Sequence, residues 1–168
     1  SGGRFHQKFW SVKGKSLNSS YAEYSNKQKL GTLLSGATID ENTFVSGSTT
    51  GNLFVWKGRK LEHVIRGHEM GVSGLWACKI GVVSASKDGM IKLWSSIMGH
   101  VKSFSLTDAD VPPLNSCIRS VDAGFSDDGS QITRILISTM SSEIYEISTK
   151  SGTLCLMQEA HYDGEVWG

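Results

Sequence analysis

"SASKDGMIKLW", residues 84–94, joins two short apolar strands through a tight acidic turn. Lys87-Asp88-Gly89 supplies the turn: glycine accepts the positive φ that a short hairpin loop demands, and aspartate bonds the turn's own amides. The flanking residues alternate with the period of a strand, and Trp94 closes the second one. The same unit stands 94 − 56 = 38 residues earlier, where "TTGNLFVWKG" (49–58) aligns without gaps on "KDGMIKLWSS" (87–96) and brings Trp56 into line with Trp94. Upstream, "TFVSGS" (43–48) matches "GVVSAS" (81–86), so each unit holds a hairpin.

Further strands fall into place around these hairpins. "KLEHVIRGH" (60–68) reads as an outer strand following the first Trp, and "VSGLWACK" (72–79) opens the next unit. A degenerate third unit follows in "IRSVDAGFSDDGSQ", "ITRILISTM", "SEIYEIST" and "TLCLMQEAH". Ile147 occupies its Trp position, 147 − 94 = 53 residues on, with the excess absorbed by "TDADVPPLN". "RFHQKFWSVKG" reads as the end of an earlier unit with Trp10 in the Trp position, and "GEVWG" as the beginning of a later one. Short strands, turn signals every eight to twelve residues and a period near 40 predict an all-β fold of propeller blades. The expected layout is about three complete four-stranded blades plus part-blades at both ends. Residues 1–30 end a preceding blade, 31–68, 69–110 and 111–161 form blades, the last degenerate, and 162–168 start a following one.

Composition narrows the function. The 168 residues carry 17 Lys and Arg against 16 Asp and Glu, so the electrostatic footprint of a nucleic-acid binder is missing. No apolar run approaches a membrane span, and no signal-peptide pattern opens the chain. Cys78, Cys117 and Cys155 are odd in number and form no CxxC pair, which argues against a disulfide framework or a zinc knuckle. The 19 glycines are spread as turn punctuation rather than clustered as a linker.

Gly67-His68, Ser84, Asp88 and Trp94 resemble, in order and approximate spacing, the signature of WD repeats, which implies that the units are WD40-type β-propeller blades. The resemblance implies that His, Ser, Asp and Trp form a buried hydrogen-bonded chain, with Asp88 accepting from turn amides and from His68, and His68 reaching Ser84. The preceding unit has Thr50 in the Asp position, and the third has Ser141 there. Asp88 therefore reads as structural rather than catalytic. A narrower resemblance runs through "GNLFVWKG", "IRGHEMGVSGLWACK", "VVSASKDGMIKLW", "CIRSV", "ILISTMSSEIYEI" and "AHYDGEVWG". These look like the echinoderm microtubule-associated protein-like (EMAP-like) family, whose tandem propellers have irregular WD signatures. His161, Asp163, Trp167 and Gly168 match a recurrent H-x-D-x-x-WG detail of that family. The resemblance implies association with tubulin or microtubules and a cytoplasmic, cytoskeletal location; the family's hydrophobic motif and N-terminal coiled coil have no counterpart here.

Enzyme signatures fail on inspection. "GHEMGV" begins like a zinc-protease motif, but Val72 stands where the second His is needed. "KGKS" (13–16) echoes a phosphate loop, yet Phe9 replaces its first glycine. His6, His63 and His100 have no ligand at metal spacing, and no nucleophile–base–orienter set exists. The expectation is a non-catalytic protein-binding module without cofactor or metal, binding tubulin or acting as a general adaptor. Candidate contacts are the basic turns holding Lys13, Lys15, Lys57, Arg59 and Lys60, with Tyr21, Tyr24, Phe54 and Trp76 as possible exposed anchors. Because a closed propeller needs at least four blades, the end sheets expect cover from further blades or from a ring-closing second copy.

Overall fold

The structure, a computed structural model, describes residues 1–4, 6–25 and 30–159. The chain folds as successive antiparallel sheets. Strands β1 (Gly2–Gly3), β2 (His6–Lys13) and β3 (Ser16–Tyr21) form a three-stranded sheet. Next comes a four-stranded sheet, here the first blade, of β4 (Leu33–Thr38), β5 (Thr43–Ser48), β6 (Asn52–Lys57) and β7 (Lys60–Arg66). The second blade holds β8 (Val72–Cys78), β9 (Gly81–Ser86), β10 (Met90–Ser95) and β11 (His100–Ser105). The third holds β12 (Ile118–Phe125), β13 (Ile132–Thr139), β14 (Ile144–Ser148) and β15 (Leu154–Gln158). In every blade the strands lie in chain order, joined by hairpins. The sole helical turn among the described residues is a 3₁₀ turn at Leu106–Asp108, before the third blade. The architecture is that of WD40-type propeller blades, and the described sheets do not close a ring.

Apolar positions on both faces of the central strands stack the sheets. Phe9 and Phe44 meet Phe54 and Trp56 between the three-stranded sheet and the first blade. Val45, Leu53 and Val55 pack on Val72, Val82 and Trp94 between the first and second. Ile91 and Phe104 pack with Ile118, Ile135 and Tyr145 between the second and third. Burial of each such side chain contributes roughly 1.5–3 kcal/mol, so the stacking is the main source of cohesion.

Two repeated features tie the blades together. At the bulge near the start of β4, the Ser35 hydroxyl donates to the Val72 carbonyl of β8 at 2.8 Å. At the equivalent bulge in β8, Ser73 donates to the Ile118 carbonyl of β12 at 2.5 Å. The second feature is Gly51, which turns β5 into β6 with φ +83°. Its carbonyl accepts from the Gly67 and His68 amides at 3.1 and 2.9 Å, fixing the loop that leads into the second blade.

At the start of the chain the repeat changes character. Trp10, expected in the Trp position, is 49% exposed, and its indole donates to Ser1 Oγ at 3.2 Å. Its cross-strand neighbours explain this. The pairings Lys8–Tyr21, Trp10–Ser19 and Val12–Leu17 put Trp10, Val12, Leu17 and Tyr21 on the face turned away from the first blade. Phe9 takes the covered face instead, edge-on to Phe44 and Trp56.

Candidate functional site

The second blade carries the signature residues. Ser84 lies on β9 and Trp94 near the end of β10, and the Trp94 indole donates to Ser84 Oγ at 2.8 Å. His68 Nε2 is 2.7 Å from the same oxygen, and both His68 and Ser84 are buried. Since Ser84 Oγ accepts from the indole, its own proton is available to Nε2, which places the imidazole proton on Nδ1. The opposite tautomer would aim a nitrogen lone pair at the carboxylate of Asp88. That carboxylate is 3.8 Å from Nδ1, too far for a hydrogen bond, and Nδ1 is buried without a hydrogen-bond partner. Here the geometry departs from the expected chain: His68 faces Asp88 across a gap rather than bonding to it.

Asp88 instead gathers backbone amides. Oδ1 accepts from Met90 N–H at 2.9 Å, and Oδ2 accepts from Glu69 and Met70 N–H at 3.1 and 3.4 Å. Burial works to raise its carboxyl pKa, but these bonds, the Ser86 hydroxyl and the nearby His68 outweigh it and hold the pKa below the ordinary value. Asp88 thus fastens the entry loop of the blade to its own β9–β10 turn.

Burial pushes His68 down to about 4 from 6.5, against the attraction of Asp88. His68 is therefore neutral in the fold at neutral pH. Between those two values the unfolded chain binds the proton more readily, so stability falls as pH falls from about 6.5 to about 4 and then levels off for this group. The full loss is about 3 kcal/mol at 1.36 kcal/mol per pKa unit. Asp88, with its depressed carboxyl, adds a further loss as pH drops through its folded value. Urea midpoints taken from pH 7 to pH 4 should decline in this window, and His68→Gln should flatten the decline; identical slopes would remove His68 as its source.

The other blades solve the same packing problem differently. In the first, Trp56 donates to Ser46 Oγ at 2.8 Å, and Thr50 bonds locally, to Ser48 Oγ at 3.0 Å and as acceptor from Asn52 Nδ2 at 3.3 Å. In the third, Ile137 and Ile147 fill the Ser and Trp positions, both buried, so donor and acceptor disappear together. Ser141, expected in the Asp position, does not take over the carboxylate's work. Glu143, two residues on and buried, does so: it accepts from Thr139 Oγ1 at 2.6 Å and from Leu114 N–H, in the entry loop, at 2.9 Å. Ungapped alignment hid it, because the acid has crossed to the other side of the turn.

The basic turns lie at one end of the sheets. Lys57, Arg59 and Lys60 form the β6–β7 turn around Gly58. Lys13 and Lys15 flank Gly14 in the β2–β3 turn, four residues beyond Phe9, which contacts the first blade near that end. Arg59 pairs with Glu23 at 2.6 Å, both half-exposed, while Lys57 helps lower the Asp40 carboxyl, which the Asn42 amide lowers most. The next chain segment also reaches this turn, since Glu23 N–H donates to Arg59 O at 2.8 Å and Leu61 N–H to Glu23 O at 2.9 Å. Of the aromatics considered as anchors, Phe54 is fully buried and Trp76 packs on Phe125, while Tyr21 is 65% exposed with Lys8 over its ring. Tyr24 lies edge-on to Trp56. His161, Asp163, Trp167 and Gly168 lie outside the described residues. Among the described residues, no three His, Cys, Asp or Glu side chains converge as a metal site, and no helix is long and apolar enough to cross a membrane.

Comparison with known proteins agrees with this architecture. The model for the WD domain, G-beta repeat, matches residues 59–95, the span from the β6–β7 turn to Trp94. Echinoderm microtubule-associated protein-like 2 of Homo sapiens is 29% identical over 171 aligned residues, covering 99% of this chain and 24% of that protein. Echinoderm microtubule-associated protein-like 1 of Homo sapiens is 28% identical, covering 99% of this chain and 19% of that protein. The rat protein-like 2 is 28% identical over the same share of this chain. The chain thus spans about a quarter or less of the length of these relatives. The repeat match, the stacked four-stranded sheets and the alignment over 99% of the chain support a WD-repeat chain similar to the echinoderm microtubule-associated protein-like proteins.

Proposed function

We propose that this chain is a non-catalytic protein-interaction scaffold whose partner is tubulin or the microtubule, placing it with the cytoskeleton in the cytoplasm. The observation that carries the reading is the alignment over 99% of the chain to proteins named as microtubule-associated. Lys13, Lys15, Lys57, Arg59 and Lys60, exposed in turns at one end of neighbouring sheets, are the proposed contact with an acidic partner. Such a contact weakens as salt rises, because exposed charges are screened over about a Debye length.

Sedimentation velocity tests this. The chain mixed with soluble tubulin should give a shifted boundary at low salt, reduced at high salt and in Lys13→Glu/Lys15→Glu. A folded, monodisperse sample that leaves the tubulin boundary unmoved would sink the reading and leave the general adaptor. The run without tubulin also reads the mass. Trp10, Val12, Leu17 and Tyr21, between 49% and 75% exposed on one face, support the proposal that another blade covers them, from a longer chain or a second copy.

A further inference from the structure

Two grooves open between successive blades, at the end of the sheets where β6 turns into β7 and β10 into β11. They occupy equivalent positions in the repeat. The first, 710 Å³, lies between blades one and two, and the second, 550 Å³, between blades two and three. Their charges differ. In the first, Asp40 and Glu62 offset Lys57 and Lys79, beside His63. In the second, Lys102 and Lys150 are the charged side chains of the lining, and among the described residues no carboxylate faces in. The neighbouring acid, Asp128, is drawn into its own turn by hydrogen bonds from the Ser126 and Ser130 hydroxyls.

The second groove also has a floor that water does not favour. Leu93 and Val101 line it with the edges of Trp94 and Ile132, and Val101 is 58% exposed. Lys102 is held in place, its Nζ donating to the Thr149 carbonyl across the blade boundary at 2.9 Å, while Lys150 is exposed at the rim. An apolar floor between two cations suits a ligand with an apolar side chain flanked by carboxylates. An extended peptide meets that demand, because alternate side chains point to opposite sides and charged neighbours can reach both rims.

We propose that the groove between the second and third blades receives an extended acidic peptide segment of a partner protein. One large apolar side chain enters between Leu93 and Val101, and carboxylates meet Lys102 and Lys150. The proposal needs the chain to be an interaction scaffold, but it does not need the partner to be tubulin.

The test is fluorescence anisotropy with a labelled peptide in which a single leucine is flanked on each side by three glutamates. Lys150→Glu and Val101→Asp, both at exposed positions, should each weaken binding about fivefold or more. Lys87→Glu, at the opposite end of the second blade, should leave binding unchanged, and thermal unfolding midpoints should match across all variants. Replacing the leucine with serine, or the glutamates with lysines, should abolish binding. The proposal is overturned if the wild-type chain does not bind the peptide, if Lys150→Glu and Val101→Asp bind it normally, or if Lys87→Glu weakens it equally. Displacement of the peptide by a short single-stranded oligonucleotide of equal charge would also overturn it, in favour of a nucleic-acid ligand. Peptide binding lost while tubulin still shifts removes the groove alone, and the converse removes only the tubulin reading.

Discussion

Gly51→Ala is expected to destabilise the chain by about 4 kcal/mol, far more than its single added methyl suggests. A non-glycine residue at φ +83° costs roughly 1–3 kcal/mol by itself. A Cβ there would also lie 2.0 Å from the His68 carbonyl oxygen and 2.9 Å from that of Met70. Both are backbone atoms, so no side chain can swing aside. Relief requires moving the entry loop, which carries His68 and is held by the bonds to the Gly51 carbonyl, and such forced shifts cost typically 1–3 kcal/mol more. Gly14→Ala is the control: its φ is +60°, but nothing lies within 4 Å of the added carbon, so only about 1 kcal/mol is expected. Urea unfolding of the two variants separates backbone conformation from close approach. Equal losses would mean that the contact with the entry loop is unimportant.

Trp94→Ala should cost about 3–5 kcal/mol, as expected when a large buried side chain leaves a cavity. Trp94 is 5% exposed and packs in the core between the first and second blades. More informative is the pair Trp94→Phe and Ser84→Ala. The first removes the donor to Ser84 Oγ and keeps most of the packing. The second strands the indole N–H and also His68 Nε2, so each single change should cost about 1–3 kcal/mol. The double variant should cost less than the sum, because donor and acceptor then go together. Denaturant midpoints of all four chains give the coupling, expected near 1 kcal/mol. Strict additivity would show that the 2.8 Å contact adds nothing beyond packing. The third blade already contains the apolar version, with Ile137 and Ile147 buried in the two positions.

What could be read from the sequence was what local chemistry dictates. The hairpins at 43–57 and 81–95 follow from a glycine turn between alternating runs, and both glycines have positive φ, +83° at Gly51 and +78° at Gly89. The Trp–Ser contacts follow from the same alignment, since register within a hairpin is set by its turn. Distances across loops are not dictated in this way. The gap between His68 and Asp88 depends on how the entry loop docks, with Asp88 preferring the Glu69 and Met70 amides. Glu143 escaped because a carboxylate can reach the entry loop from either side of the turn. The joining serines did leave a trace, "LSG" at 34–36 and "VSG" at 72–74, but a lone hydroxyl beside glycine has many meanings until its partner is seen. Trp10 shows the reverse case, a correct motif residue exposed because none of the described sheets covers its face.

Those serines make the blades interchangeable parts. Donors Ser35 and Ser73 are 73 − 35 = 38 residues apart, whereas their acceptors Val72 and Ile118 are 118 − 72 = 46 apart. The difference of 8 lies between the second and third blades and leaves the joint unchanged. What the joint requires is a hydroxyl at one bulge and a carbonyl at the next, not a fixed length of chain between them. Whole units can therefore be gained or lost by duplication, and loops between them can lengthen, without redesign of the contact that holds neighbours together. Arg119 stands in the third blade's donor position, where a long cationic side chain replaces the short hydroxyl.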